Sequence, residues 1–542
     1  MQRLATLDWV IIVLYFAIVF GVAIWATRRE RSGQETSTDY FLAGRNIGWF
    51  IVGASLFASN IGSEHLVGLA GTGAASGVAV GQFEVLASLI LLILGWVFVP
   101  FYLKSGVFTM PEFLERRYSS GARWYLAIIS IIAYVLTKIS VTIYAGGIVF
   151  EALMGIDFWT GAIVVVIATG IYTIFGGLRA VLYTDMMQMF VLIGGAVTVT
   201  LFGLSALGGW GAMTEAVGPG FLDMWKPMSD PNFPWTGILF GAPILGVWYW
   251  CTDQFIVQRV LSAKDMHNAR LGTIFAGYLK LLPVFLFVIP GLIAYALSQQ
   301  GRLQLDTPDQ ALPVLVGTLL PIGARGIVVA GLLAALMSSL SSVFNSCSTL
   351  ITWDVYKQFH PQASESRLVW VGRVSTGILV LLGLAWIPLM QLISAQLYQY
   401  LQSVQAYISP PIAAVFLLGV LWPRGNAKGA MAALLTGFVL GAARLLLELN
   451  RDALGGSGLL YSYATINFLH FAVLLFTICT LVLLVVSLAT APPPTEKTDG
   501  LTFATTTKVI ESAEVERGRM IDMVLSIGVA LLVVAEWWFF SG

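Results

Sequence analysis

The chain has 542 residues, 58% of them hydrophobic and 11% charged, with a formal net charge of zero. Soluble domains carry roughly 25% charged residues, so most of this chain must be solvated by lipid or by itself, and a balanced charge gives no field for nucleic acid. The three cysteines, Cys251, Cys347 and Cys479, lie far apart in apolar sequence without zinc or disulfide spacing, and His65, His267, His360 and His470 fall in no metal-ligand pattern.

Residues 8–27 (DWVIIVLYFAIVFGVAIWAT) are long enough to cross a bilayer. No small-residue cleavage site follows them, which predicts a retained first span and not a signal peptide. Apolar segments then recur at 47–78, 80–103, 123–153, 157–176, 182–207, 234–258, 271–298, 325–356, 367–390, 396–422, 427–449, 463–489 and 521–541. Together they predict an all-α integral membrane protein of about 14 spans, because lipid offers exposed backbone no partner.

Positive charges gather after alternate spans: Arg28, Arg29, Arg31 and Arg45, then Lys104, Arg116, Arg117 and Arg123, then Arg179, then Arg259, Lys264 and Arg270. Lys357 and Arg367, Arg424 and Lys428, and finally Lys497, Lys508, Arg517 and Arg519 continue the alternation. The positive-inside rule makes that side cytoplasmic and puts both termini outside. Residues 490–520 read as a cytoplasmic linker. No phosphate-binding loop precedes a helix anywhere, so a transporter of this sequence would run on an ion gradient and not on ATP.

Charges at membrane depth cost about 2.5–3.5 kcal/mol each on insertion scales and mark functional positions. Glu64, Glu84, Lys138, Asp185, Asp253, Lys280 and Asp354 qualify. Lys138, Asp185 and Asp354 sit near span ends, where reaching to the interface is the competing reading. Polar residues interrupt two spans, in GASLFASNIGSEHLVGLAG (53–71) and in GVWYWCTDQ (246–254). The two breaks lie five spans apart. Two five-helix halves would then run in opposite directions, the arrangement of inverted repeats with a midplane binding site. The predicted organisation is a first helix at 1–28, halves at 47–207 and 208–422, accessory helices at 427–489, the linker, and a last helix at 521–542.

In AALMSSLSSVFNSCST (334–349), Ala335, Ser338 and Ser339 share one helix face. Hydroxyls and carbonyls without a carboxylate suit a hard monovalent cation, and they disfavour proton coupling. Close helix packing by small serines is the alternative. Ser341, Ser342 and Asn345 extend the polar stripe. A sugar needs forked hydrogen-bond partners and an aromatic face; Asn60, His65, Glu84, Lys280 and Gln402 supply the first, Tyr249 and Trp250 the second. Glu84 and Lys280 in one pocket would neutralise each other. No nucleophile, base and orienting group fall together, which argues against an enzyme.

The stretches DYFLAGR (39–45), GASLFASNIGSEH, GGLRAVLYTD (176–185), GVWYWCTDQFIVQR, GYLKLLP (277–283), LMSSLSSVFNS and YISPPIAAVFLLGVLW (407–422) resemble the sodium/glucose cotransporters among the solute:sodium symporters. The resemblance runs from about Asp39 to Trp422 and is closer to the animal sugar branch than to the proline, pantothenate or sialic-acid branches. It implies a leucine-transporter-like inverted-repeat core in a plasma (inner) membrane, taking up a monosaccharide with sodium as coupling ion. It places the sugar on Asn60, His65, Glu84, Tyr249, Trp250, Lys280 and Gln402. Sodium falls on carbonyls of Ala58, Ile61 and Ala335 and hydroxyls of Ser338 and Ser339. A second cation site of some members aligns with Asp185, Ser341 and Ser342. Gly246, Gln399, Gln405 and Ala87 depart from relatives around the sugar, which leaves open which sugar, or a polyol such as an inositol, is carried. A sugar sensor, which binds sugar and signals without coupled transport, is a further alternative. The shortened insert before the last helix and the absence of glycosylation sequons after Leu207 resemble a bacterial member. Glu64 aligns with an acid in some relatives and a glycine in others, and has no assigned role.

Overall fold

The computed structural model describes residues 4–28, 36–390, 397–505 and 513–541. Among them, eleven helices are long and apolar enough to cross a membrane, which makes this a multi-pass membrane protein. The sequence predicts about 14 spans, and the difference has identifiable places. His65–Ser105 and Phe158–Leu207 each run as one helical stretch, yet each contains a glycine at positive φ, Gly77 at 77° and Gly177 at 56°. The segment expected at 234–258 is built from Trp235–Phe240, Ala242–Gly246, a π turn at Val247–Thr252 and Gln254–Leu261, none of spanning length.

Nine helices position the site: α1 (Trp49–Asn60), α2 (Ser63–Ser76), α3 (Gln82–Ile93), α4 (Phe158–Leu207), α5 (Gln254–Leu261), α6 (Met266–Leu279), α7 (Ala324–Leu350), α8 (Leu397–Leu421) and α9 (Ala513–Phe539). The span carrying α7 is buried along almost its whole length and packs on α4 and α1. The outer helices Thr6–Arg28, Ala427–Leu449, Phe468–Ala489 and α9 leave most of their surface outside the core, as lipid-facing helices do. Small residues let backbones approach: a Cβ added at Gly291 would stand 2.0 Å from the carbonyl oxygen of Ala70 in α2.

Gly177 divides α4. Its φ of 56° and ψ of −156° belong to a region open almost only to glycine, and a Cβ there would lie 2.5 Å from the carbonyl oxygen of Tyr40. Gly177→Ala is expected to destabilise the protein by about 2–5 kcal/mol, from backbone strain and overpacking together. A melting curve of the purified variant in detergent checks this, and an unchanged midpoint would contradict it.

Two separate sets of contacts tie the loops. In one, Arg45 donates to the carbonyl of Gly106 at 2.8 Å, Arg179 to that of Ala43 at 2.9 Å, Lys497 to that of Glu115 at 2.7 Å, and the Ile47 amide to Ser262 at 3.0 Å. In the other, Asp8 accepts from the Gly323 and Gly326 amides, Arg302 donates to Ala206, and the Met224 amide donates to Phe540. The first set holds the arginine- and lysine-bearing loops together. The described part of the expected linker also lies against it: Thr502 is buried, the Phe503 amide donates to Val420 at 3.1 Å, and the Phe503 ring meets Phe101 edge-on at 4.8 Å. Residues 506–512 lie outside the described residues. The last helix starts earlier than the expected 521.

Some loop charges of the sequence reading are not in loops. Arg117 and Arg259 are fully buried and Arg123 nearly so. Arg117 donates to the carbonyls of Gly419, Trp422 and Gly425 and so closes the end of α8. Nor do Lys138, Asp185 and Asp354 reach to an interface. Both aspartates are fully buried. Asp354 pairs with Arg123 at 2.7 Å, and Lys138 pairs with Asp253 at 2.7 Å.

Candidate functional site

The break between α1 and α2 is two residues wide. Ile61 (φ −81°, ψ 87°) and Gly62 (φ −87°, ψ 178°) leave the helical region. In an unbroken helix the Gly62 amide would bond Ala58 and the His65 amide would bond Ile61. Here Gly62 donates to Asn60 and His65 to Gly62, both at 3.0 Å. The carbonyls of Ala58 and Ile61 are thereby released from the ladder, as is that of Ser59. α7 faces this break. The Ser339 hydroxyl donates to the Ser59 carbonyl at 3.1 Å, and the Ser338 hydroxyl donates to Asp185 at 2.5 Å. A hydroxyl that donates its proton elsewhere keeps its lone pairs for a cation. Ala58, Ile61, Ala335, Ser338 and Ser339 are all buried, and the Ser339–Ser59 bond ties this face of α7 to the break.

The expected second cation set is differently occupied. Asp185 on α4 accepts from Ser338 and from Ser55 on α1, each at 2.5 Å, and lies 3.5 Å from the Arg259 guanidinium. Arg259 also donates to Ser342, and the Ser341 hydroxyl donates to the Ser338 carbonyl at 3.0 Å.

The second break follows the π turn Val247–Thr252. Asp253 is extended (φ −79°, ψ 127°) and caps α5, its carboxylate accepting from the Phe255 amide at 3.2 Å. Between the breaks lies one cavity. Asn60, His65, Glu84, Tyr249, Trp250, Lys280 and Gln402 all line it, and so does Ser339. Ser339 of the expected cation set thus shares the cavity wall with the seven polar and aromatic residues.

The local sequence explains the placement. α6 ends at Leu279, and Lys280 is the first residue past it, at a short interruption where Pro283 has no amide to offer the Leu279 carbonyl, before the span resumes toward Gln299. Fully buried, Lys280 pairs with Glu84 on α3, donates to the Asn60 side-chain oxygen at 2.5 Å and stands 5.4 Å from the Trp250 ring. The Asn60 side-chain nitrogen donates to the Tyr249 hydroxyl at 3.0 Å. His65 lies 3.9 Å from the far oxygen of Glu84. Tyr249 and Trp250 meet edge-on at 5.1 Å, giving an aromatic wall.

Three of the departures line the same cavity: Ala87, Gly246 and Gln405. Gly246 does not open space, since a Cβ there would meet the Ile90 side chain at 3.0 Å. The wall is apolar at that point. The side chains of Glu64 and Gln399 lie outside the described residues.

The sequence reading missed the partnership of Lys138 with Asp253. Lys138 sits on a π turn, Tyr134–Ile139, and lines the cavity. Its ammonium lies 4.5 Å from the Tyr249 ring and 3.9 Å from the Phe255 ring, while Tyr134 also bonds Asp253. A membrane-depth lysine and aspartate were visible in the sequence; that they face each other is a property of the two π turns. Ser55 and Arg259 were also missed: Ser55 was not singled out, and Arg259 looked like a loop charge.

Two interrupted helices enclosing a polar cavity, in a bundle of membrane-crossing helices, define a secondary transporter. Residues 40–437 match the sodium:solute symporter family, and the chain belongs to that family: it is a sodium-coupled solute symporter, not an enzyme. It is 41% identical over 527 residues to sodium/glucose cotransporter 1 of Oryctolagus cuniculus, covering 90% of this chain and 79% of that protein. It is 39% identical to sodium/glucose cotransporter 4 of Danio rerio (94% and 82% covered) and 40% identical to sodium/glucose cotransporter 2 of Rattus norvegicus (92% and 80%). Its fold is similar to that of a substrate-bound, outward-open Na+-coupled sialic acid symporter, with a TM-score of 0.77 at 22% identity over 90% of this chain and 99% of that one.

Proposed function

We propose that this protein carries a monosaccharide of the glucose or galactose type into the cell with sodium, by alternating access. The observation that carries this reading is the shared wall. Asn60 and His65 flank the break that releases the Ala58 and Ile61 carbonyls, so an ion bridging α1 to α7 also sets the groups that meet the solute. Forked donors and acceptors beside an aromatic face suit a polyhydroxylated ring. The names of the cotransporter relatives support the same solute class.

In the proposed cycle, sodium enters from outside and binds the Ala58, Ile61, Ala335, Ser338 and Ser339 oxygens. This fixes α1 against α7 and orders Asn60 and His65. Sugar binds Asn60, His65, Glu84, Lys280 and Gln402 against Tyr249 and Trp250, and closure occludes it. Sodium leaves first, and the sugar follows past Tyr249. The halves 47–207 and 208–422 act as inverted repeats of a leucine-transporter-like core with about 14 crossings in the plasma membrane. The arginine- and lysine-bearing loops face the cytoplasm, and both termini face out. One charge crossing 100 mV is worth about 2.3 kcal/mol, enough to concentrate solute roughly 40-fold. A second ion at Asp185, Ser341 and Ser342 would square that factor.

Uptake into proteoliposomes under an inward sodium gradient, competed by a panel of unlabelled hexoses and polyols, tests the reading. Glucose or galactose is expected to compete best. Preference for an inositol would move the solute class, and binding without counterflow of labelled sugar would show a sensor and sink transport.

A further inference from the structure

Asp185 is a fully buried carboxylate on the wall of the cation sites, and such a charge is tolerated only with a counter-charge. That counter-charge is built into the chain. Arg259, itself fully buried, places its Nη2 3.5 Å from Asp185 Oδ2 and bonds Ser342, while its Nε donates to the Ser55 hydroxyl at 2.9 Å. Ser55 in turn donates to Asp185. The guanidinium therefore covers the acid and one of the two hydroxyls that a second sodium would need. It also has somewhere else to bind: the Phe255 carbonyl accepts from Nη1, and the Phe255 ring lies 5.2 Å from the guanidinium carbon.

We propose that Arg259 is a tethered competitor of the second sodium ion, so that the guanidinium and the ion alternate on Asp185. The proposal rests on the reading of Asp185, Ser341 and Ser342 as the second-cation set. It adds that this site is tuned to be weak by an internal cation, held in place through Ser55. A competitor of this kind makes release of the second ion an exchange, which never leaves Asp185 buried without a positive partner. The first site, on Ser338 and Ser339, meets this pair only through the Ser338–Asp185 bond, and its affinity is expected to change less than that of the second.

Equilibrium binding of radioactive sodium to the purified, detergent-solubilised protein tests this by resolving a tight and a weak component. In Arg259→Gln the weak component is expected to tighten on the order of tenfold or more, because the acid loses its internal partner. Adding Asp185→Asn should abolish the gain, and Arg259→Lys should return the weak component toward wild type. A role of Arg259 in structure alone predicts neither reversal. Ser55→Ala, which removes the bridge and keeps every charge, should tighten the weak component several-fold and serves if Arg259→Gln does not fold. A weak component unchanged in both Arg259→Gln and Ser55→Ala overturns the proposal, and so does its absence from every variant. Sodium-driven sugar uptake by the same variants is read separately: with the tight component intact, either of those failures leaves the symport reading standing.

Discussion

Ser339→Ala is expected to lower the apparent affinity for sodium in sugar uptake by roughly 30-fold, the equivalent of about 2 kcal/mol for one polar contact to a charged group. The hydroxyl has two uses at one place. It is a member of the proposed cation set on α7, and it donates to the Ser59 carbonyl at the edge of the α1–α2 break. Alanine removes both, so α7 no longer reports the ion to the segment that holds Asn60 and His65. The defect should be relieved by saturating sodium, since the solute-binding side chains are untouched. The measurement is uptake as a function of sodium at fixed sugar. Wild-type sodium dependence in the variant would mean that the ion sits elsewhere, and the assignment of Ser338, Ser339, Ala335, Ala58 and Ile61 would fall with it.

Lys280→Met is expected to have two effects of different origin. It leaves Glu84 buried without its partner, and breaking a buried ion pair from one side costs about 3–5 kcal/mol. It also takes away the donor to Asn60 and the cation beside Trp250. A lower melting temperature and loss of measurable sugar uptake should appear together. The double variant Lys280→Met with Glu84→Gln separates them: stability should return toward wild type while sugar binding stays lost. Gln402→Ala, which removes no charge, should weaken sugar binding with a smaller effect on stability. If the double variant recovers uptake along with stability, the pair is structural only. If Gln402→Ala and Glu84→Gln both bind sugar normally, the cavity is not the sugar site.

What the sequence made legible follows from what is local. The α1–α2 break could be read because Asn60, Gly62 and Ser63 interrupt an apolar run, and the seventh segment because Thr252 and Asp253 do the same. The face shared by Ala335, Ser338 and Ser339 follows from helical period alone. The seven residues expected in one cavity were picked by sugar chemistry and then by motif resemblance, and they do line one cavity. What stayed hidden depends on pairing across the fold. Arg259 ends a motif and looked like one more positive residue beside a loop, yet it turns inward because Asp185 waits on α4. Lys138 looked interfacial because its distance from Asp253 is set by two π turns, which hydropathy does not register. The span count differs because the sequence reading divides the chain near Gly77 and Gly177, where the structure carries one helical stretch through a glycine at positive φ.

Asn60 has both ends of its amide committed inside the protein, the oxygen to Lys280 and the nitrogen to Tyr249. A hydroxyl pair arriving there forms its bonds by substitution, one new bond for each one given up. Such an exchange has little net enthalpy, and its reverse is just as accessible, so the solute is recognised by shape and pattern more than by grip. For the proposed sugar, shallow binding would keep dwell time short and let the solute go on the concentrated side. The Lys280–Asn60–Tyr249 chain would then act as a built-in place-holder for the sugar's own hydroxyls, re-forming each time the cargo departs and readying the site for the next turnover.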